Sequence, residues 1–336
     1  LLIDKEEKVQ NDRTWCFWET NAGFFEDIVY RRWSKLDFFS SDFSGPLTIH
    51  PYQYKLIRGL DFYTYCFNAI KTHPGISWWR ASVQSITATA QGVRIKAEGE
   101  EERWYAGAQA FSSIPVPVTD QPNAIHLLQH FKGWVIQTAQ PCFDPARATL
   151  MDFRVGQQHG TAFAYVLPFS EREALAEYTL FTPSLLQPQQ YDEGLKDYLQ
   201  QYLKLTDYTV KEQEFGVIPM TNTRFPRRVN GVFQLGTAGG QTKASSGYTF
   251  QFIQKQSDRL AAALLRGESI EETGKTAARF RFYDEVLLEV LYRQLYPGHR
   301  VFARLFRANT AAQVFRFLDN ESSLPAELRL ISSLPT

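Results

Sequence analysis

The sequence predicts an α/β nucleotide-binding fold, α/β with α+β character, whose two halves are separated by an inserted antiparallel β-sheet domain and followed by C-terminal helices. Three observations carry this expectation. Strand and helix patterns alternate at both ends of the chain, and a block of alternating, turn-punctuated segments fills its middle. Late in the chain, GVFQLGTAGGQTKASSGYTF (residues 231–250) sets a glycine-rich turn between an apolar strand and a helix. At 336 residues the chain can hold one large domain or two interlocked ones.

Taken in order, LLID reads as the end of a buried strand, with Asp4 where it stops. PYQYKLIRGLDFYTYCFNAI predicts a helix that starts at Pro51, carries Leu56, Leu60, Tyr63, Phe67 and Ile70 on one face, and ends at His73-Pro74-Gly75. Residues 77–113 alternate like strands, with turns at Gln91-Gly92 and near Gly99, and predict a β-meander. FKGWVIQT, ATLMDFRV, TAFAYVLPF and ALAEYTLF continue the strand pattern, the last two flanking SEREA as a hairpin. YDEGLKDYLQQYL predicts a short amphipathic helix and YTVKEQEFGVIPM a returning strand. Past the glycine turn, Phe250, Ile253, Ser257, Leu260 and Leu264 share one face of a helix that Gly267 ends, and two or three further helices finish the chain. The expected division is 1–115 for the first part of the nucleotide-binding domain, 116–214 for the β-rich substrate domain, 215–270 for the second part, and 271–336 for a helical region.

Composition narrows the partners. Lys plus Arg and Asp plus Glu both total 36, so no net field selects nucleic acid. With 26 Phe, 16 Tyr and 7 Trp the chain is rich in aromatic surface, which serves core packing and also suits an apolar, unsaturated ligand. Cys16, Cys66 and Cys142 form no C-x-x-C pair and there are only six His, a pattern that predicts neither a disulfide framework nor a metal site and fits a reducing, cytoplasmic setting. No segment approaches the roughly 18 to 20 apolar residues that span a bilayer.

Gly236-Thr237-Ala238-Gly239-Gly240 lets backbone N–H groups approach a ligand closely and aims a helix start at negative charge, favouring phosphate or a reduced flavin ring, although such clusters also occur as tight turns required by packing. A dinucleotide site further needs an acidic side chain at the end of a second strand, on the adenosine ribose. Asp4 stands in that place, or merely ends a strand. On the first reading the matching G-x-G-x-x-G is expected about 20 residues earlier, upstream of residue 1.

NDRTWCFWE (residues 11–19), LLQHFKGWVI (127–136), LMDFR (150–154), EYT (177–179), GVIPM (216–220), GTAGGQTKASSGYTF and the final RFL (316–318) occur in an order that strongly resembles the FAD-dependent lycopene cyclases, over nearly the whole chain. The resemblance implies a glutathione-reductase-like flavoprotein that converts the linear ends of lycopene, or of a related linear carotene, into β-ionone rings. It further implies reduced FAD that is required but not consumed, with NAD(P)H as reductant. Glu177 matches the acidic residue of the family's E-E-T or E-D-T motif, taken as the acid that acts on the polyene, while Tyr178 replaces the second acidic residue. The late glycine motif matches through Gly236, Gly239, Gly240 and Gly247-Tyr248.

Such a reaction needs a protonated acid, stabilisation of a tertiary cation and a group that removes a proton. Apolar neighbours of Glu177 would keep its carboxyl neutral by disfavouring the charged form. Asp152 is a candidate second acid or base, or a structural hydrogen-bonding residue; His130 reads as structural. Trp15, Trp18, Trp134, Phe153, Tyr165 and Tyr178 are candidate aromatic faces for the substrate and its cation. Because the substrate class resides in membranes, peripheral attachment to a membrane surface is expected, with the basic and apolar terminal helices as the candidate contact. Two other readings remain open: an FAD monooxygenase of an aromatic or isoprenoid substrate, which would commonly carry Asp where this chain has Thr237, and a non-catalytic carotenoid-binding remnant.

Overall fold

In the computed structural model, which describes residues 1–117, 121–271 and 276–334, the chain opens with strand β1 (Leu2–Asp4) and continues through β2 (Thr14–Glu19), β3 (Arg31–Trp33), β4 (Lys35–Phe39), β5 (Ser44–Thr48), β6 (Gln53–Arg58) and helix α1 (Gly59–Thr72). The helix expected from Pro51 is thus a strand followed by a helix. Tyr54, Lys55, Leu56 and Ile57 are all buried because β6 is the middle strand of the sheet β2-β6-β3. A short run buried on both faces has no alternation to distinguish it from helix. The chain leaves α1 at His73, ahead of Pro74, as the sequence predicts.

Next come β7 (Trp78–Arg80), β8 (Val83–Thr89), β9 (Gly92–Ala97), β10 (Arg103–Ala106) and β11 (Phe111–Ser112). β8, β9 and β10 form the expected meander, whereas β7 pairs in parallel with β1. Then follow β12 (His126–Gln137), β13 (Arg147–Asp152), β14 (Thr161–Pro168), β15 (Glu173–Thr182), α2 (Pro188–Gln201) and β16 (Thr209–Thr221). They build a seven-stranded sheet in the order β16-β12-β15-β14-β13-β4-β5, antiparallel except where β4 and β13 run together. β14 and β15 are the expected hairpin. The sheet reaches beyond residues 116–214 on both sides, taking in β4 and β5 and the end of β16.

The two faces of this sheet are covered by different elements. α2 lies on one face, where Tyr191, Leu195, Tyr198 and Leu199 pack against Ala162, Ala164, Ala176 and Leu180. Burial of each leucine contributes about 1.5–3 kcal/mol. Over the other face lie the last helices, α4 (Ala278–Tyr292), α5 (Gly298–Ala308), α6 (Ala311–Leu318) and α7 (Leu324–Ser332), burying Leu288, Phe302, Phe306 and Phe315 against Phe38, Phe153 and Phe163. Four helices stand where two or three were expected.

Between the large sheet and these helices the chain forms β17 (Arg228–Val229), β18 (Val232–Gln234), a 3-10 turn at Gly236–Gly239 and α3 (Phe250–Arg266), capped by Gly267. β18 pairs in parallel with β11. The helix expected from Phe250 to Gly267 is α3, and residues 240–249 separate it from the glycine turn. Gly236 and Gly240 have φ of +59° and +75°, which a side chain would strain. Among the described residues no helix is long and apolar enough to cross a membrane.

Candidate functional site

Where β2 and residues 246–250 roof the helix-side face of the large sheet, they enclose a cavity of about 360 Å³. Its floor follows from strand pairing. Tyr165 on β14 pairs with Glu177 on β15, Glu177 pairs with Gly133 on β12, and Gly133 pairs with Glu214 on β16. Side chains alternate across a sheet, so these four positions form one row on one face. All but Gly133 line the cavity, together with Leu167, Leu175 and Phe131.

Gly133 leaves a gap in that row. The Glu214 side chain leans across it, with Cγ 2.9 Å and Oε1 3.1 Å from where a Gly133 Cβ would stand. A strand glycine of this kind marks a close approach. In the neighbouring row a Cβ on Gly216 would overlap the Phe131 ring, so the second glycine lets that ring lie over β16.

Glu177 has the environment of a neutral acid. Burial, then the Glu214 carboxylate, push its carboxyl up to about 8, against a hydrogen bond from Thr179 Oγ1 to Oε1 at 2.5 Å. Glu214 is pushed up to about 7 by burial, opposed by Thr14 Oγ1, which donates to Oε2 at 2.8 Å. Its Oε1 is buried without a hydrogen-bond partner among the described residues. Two buried carboxyls close together do not both ionise readily at neutral pH, so the pair holds one proton there.

The roof is aromatic. Trp15 and Phe250 pack with ring centroids 5.4 Å apart. The Tyr248 hydroxyl interacts with those of Tyr54 and Tyr165, and burial raises all three hydroxyls, keeping them neutral. Trp15 Nε1, Gln129 Oε1 and Ser246 Oγ are buried at this cavity without a hydrogen-bond partner among the described residues. Polar atoms buried in this way call for a ligand or water with matching groups.

A charged cluster behind the cavity anchors the glycine-rich loop. Lys243 Nζ lies 2.7 Å from Asp284 Oδ1 and donates to Asn320 Oδ1 at 2.8 Å, while Ser245 Oγ donates to Asp284 Oδ1 at 2.7 Å. Trp18 Nε1 donates to Asp319 Oδ2 at 2.8 Å, which places Trp18 in support of α6. The loop is thereby fixed to α4 and to the end of α6.

Of the residues singled out in the sequence, Glu177, Trp15, Tyr165 and Gly247 meet at this cavity. Asp152 does not. It is fully buried beneath α2 and accepts from Arg154 Nε at 2.9 Å, Arg154 Nη2 at 2.6 Å, the Arg154 amide at 3.0 Å and Tyr198 OH at 3.0 Å. Trp134 and Tyr178 also face α2, because their positions are odd-against-even with Gly133 and Glu177. Phe153 lies in the helix-side core, its ring stacked on Phe302 at 5.5 Å. His130 is structural: Nε2 pairs with Thr182 Oγ1 at 2.7 Å, Nδ1 with Tyr191 OH at 2.6 Å, and burial lowers it to about 4. Gly236, Thr237, Ala238, Gly239 and Gly240 shape the turn after β18 without lining the cavity, and Asp4 ends β1, its Oδ1 accepting from the Glu6 amide at 2.9 Å.

Sequence reasoning missed Glu214, Gly133 and Phe131. The signal was present in EQEFGVI, where alternation puts Glu214, Gly216 and Ile218 on one face, and in the glycine that interrupts the apolar strand FKGWVI.

Comparisons with known proteins agree with the fold. HpxO of Klebsiella pneumoniae, solved with FAD and uric acid, superposes with a TM-score of 0.61 at 12% identity, covering 96% of this chain and 88% of that one. The flavin-dependent brominase Bmp2 gives 0.56 at 12%, over 92% of this chain and 83% of that one. A geranylgeranyl bacteriochlorophyll reductase-like protein of Thermoplasma acidophilum gives 0.55 at 10%, over 91% and 81%. The architecture is therefore the α/β fold that these proteins share, HpxO having been solved with FAD and Bmp2 being a flavin-dependent brominase. A lycopene beta-cyclase of Paracoccus sp. is 26% identical over 223 residues, 62% of this chain and 56% of that protein, so the chain spans a little over half the length of that relative. The family described as lycopene cyclase protein matches residues 1–336 throughout, and the chain belongs to the lycopene cyclase family.

Proposed function

We propose that this chain closes β-ionone rings at the ends of lycopene or a related linear carotene by proton-initiated cyclisation, with no net redox change. The observation that carries this reading is a neutral carboxyl, Glu177, buried on the floor of an aromatic cavity. An alkene is a weak base, so its protonation requires an acid that remains protonated near neutral pH and meets the hydrocarbon without intervening water. At about 360 Å³ the cavity is near the small end of ligand sites, roughly 300–1,000 Å³, and suits one end of a polyene.

Each lining residue then has a task. Glu177 delivers the proton to the terminal double bond. Trp15, Phe131, Tyr165 and Phe250 hold the folded end and offer ring faces to the tertiary cation, an attraction effective within about 6 Å. Tyr54, Tyr165 and Tyr248, clustered around the Tyr248 hydroxyl and kept neutral by burial, are poor nucleophiles toward the cation.

Reduced FAD belongs to the same reading. A hydrocarbon cannot satisfy Trp15 Nε1, Gln129 Oε1 and Ser246 Oγ, whereas the polar edge of a flavin ring can, and these atoms lie where residues 246–250 meet β2. Trp15, Ser246, Gly247 and the turn at Gly236–Gly239 would hold the ring end, and Asp4 at the end of β1 the adenosine ribose. When bound in its reduced state, with NAD(P)H as reductant, the flavin supplies negative charge beside the developing cation. Peripheral membrane attachment completes the reading: Phe282 and Val286 leave apolar surface exposed on α4.

The test is expression of the full-length protein in cells that accumulate lycopene, followed by separation of the pigments. The wild type is expected to yield β-carotene and Glu177→Gln to retain lycopene, with turnover reduced at least a hundredfold. Undiminished ring closure by Glu177→Gln would assign the proton to another group, and substrate-dependent oxygen uptake would favour hydroxylation.

A further inference from the structure

The ring proton must leave as well as arrive, and the row Tyr165, Glu177, Gly133, Glu214 supplies a second carboxyl in register with the first. The Glu177 and Glu214 backbones are two strand spacings apart, roughly 10 Å, and the strand residue between them, Gly133, has no side chain, although Leu175 Cδ1 borders the gap. Glu214 leans over Gly133 toward Glu177, and its unpartnered Oε1 is buried at the same cavity. Thr14 holds only the other oxygen. This is the arrangement of an acceptor kept open for a proton.

We propose that Glu214 is the base of the cyclisation, taking the proton from the ring carbon beside the cation and returning it to Glu177 across Gly133. The proposal rests on the reading of Glu177 as the acid. In the first step the Glu177 O–H bond breaks and the terminal alkene uses its π pair to form a C–H bond. The next double bond then attacks the cation and closes the ring. A C–H bond next to the new cation gives its electron pair to a ring double bond, and its proton goes to Glu214 Oε1. Transfer of that proton from Glu214 to the Glu177 carboxylate restores both groups, so atoms and electrons balance without oxidant or reductant.

Glycine at residue 133 is part of the device. A Cβ there would stand 2.9 Å from Glu214 Cγ and 3.0 Å from Leu175 Cδ1, so even alanine must push Glu214 aside. The groups facing the pair are Cys16 on β2, Tyr165 on β14, Tyr248 in the loop, and Thr14, Glu212, Asp12 and Arg13 toward the mouth. None of them supplies a cation between the two carboxyls.

The test is the pH profile of ring closure by the flavin-loaded, full-length protein with lycopene in detergent micelles. Wild type is expected to give a bell, rising near pH 7 as Glu214 ionises and falling near pH 8 as Glu177 ionises. Glu214→Gln keeps shape and the Thr14 contact; it should lower turnover at least a hundredfold, abolish the rising limb and move the falling limb to lower pH. Gly133→Ala retains both carboxyls and should slow closure at least tenfold while moving the falling limb the same way. Wild-type turnover with an intact rising limb in Glu214→Gln overturns the proposal and leaves Glu177 as the acid. Should Glu214→Gln fail to fold, an unchanged profile in Gly133→Ala overturns it equally. Full activity in Glu177→Gln instead overturns the underlying reading.

Discussion

Beneath α2, the large sheet buries His130 and Asp152 with both ring nitrogens and both carboxyl oxygens engaged. On the other face, Glu177 and Glu214 are half-buried around a cavity with one carboxyl oxygen and several neighbouring polar atoms unmatched. Trp134 Nε1 and Asp192 Oδ1, the latter ion-paired with Lys132, are exceptions on the α2 face. The same strands build both faces, since successive residues point to opposite sides. What separates structure from site is therefore satisfaction as well as depth: the carboxyl and imidazole beneath α2 complete their own hydrogen bonds, and the cavity face leaves some for a ligand.

The sharpest way to test that division is to remove the best-satisfied group. Asp152→Ala strips the acceptor from Arg154 and leaves the buried Tyr198 hydroxyl without it, at an expected cost of about 3 kcal/mol. A urea melt should show a lower midpoint at unchanged slope, while turnover per folded molecule stays at the wild-type level. Loss of turnover in fully folded protein would instead bring Asp152 into the chemistry.

A smaller effect should distinguish the faces by the direction of their pH dependence. His130 is lowered from 6.5 to about 4 by burial, opposed by a backbone hydrogen bond at Ser184, its ring nitrogens paired with Thr182 and Tyr191. The stability it contributes is present above pH 6.5 and lost as pH falls toward 4, on the order of 2 kcal/mol. Glu177 is raised from 4.5 to about 8, so its contribution is present below pH 4.5 and is lost as pH rises through 8. Denaturation midpoints followed across pH should show His130→Gln flattening the acid limb and Glu177→Gln flattening the alkaline limb. If one substitution flattens both limbs, the two faces do not titrate independently.

How much of this was legible in the sequence depends on how far along the chain the determining contact lies. The hairpin β14–β15, the meander and the helix ended by Gly267 are set by neighbours and by turns, and local pattern shows them. β6 was misread because a strand covered on both faces carries no alternation, and the place of β4 in the large sheet is set by β13, more than a hundred residues away. Glu177 was singled out by its motif and its apolar flanks, and it stands on the cavity floor. Glu214 was not, because its partner is in register through a third strand, and pairing across β16, β12 and β15 is a tertiary fact. The wrong choices among the aromatics have the same origin: without the register, parity on a strand gives two faces but does not tell which one holds the cavity.

That parity supplies the finest test. Tyr165 and Tyr178 are both buried tyrosines opposite or next to Glu177, and composition cannot rank them. Tyr165 lines the cavity and its hydroxyl interacts with that of Tyr248, so Tyr165→Phe should slow ring closure severalfold and cost about 1 kcal/mol of stability. Tyr178 lies under α2, its ring against Gly194, and Tyr178→Phe should leave turnover within twofold and stability within about 0.5 kcal/mol. Measured side by side on folded protein, the pair isolates the face from the residue type. If Tyr178→Phe slows closure as much as Tyr165→Phe, the chemistry reaches through the sheet, and the division between its faces fails.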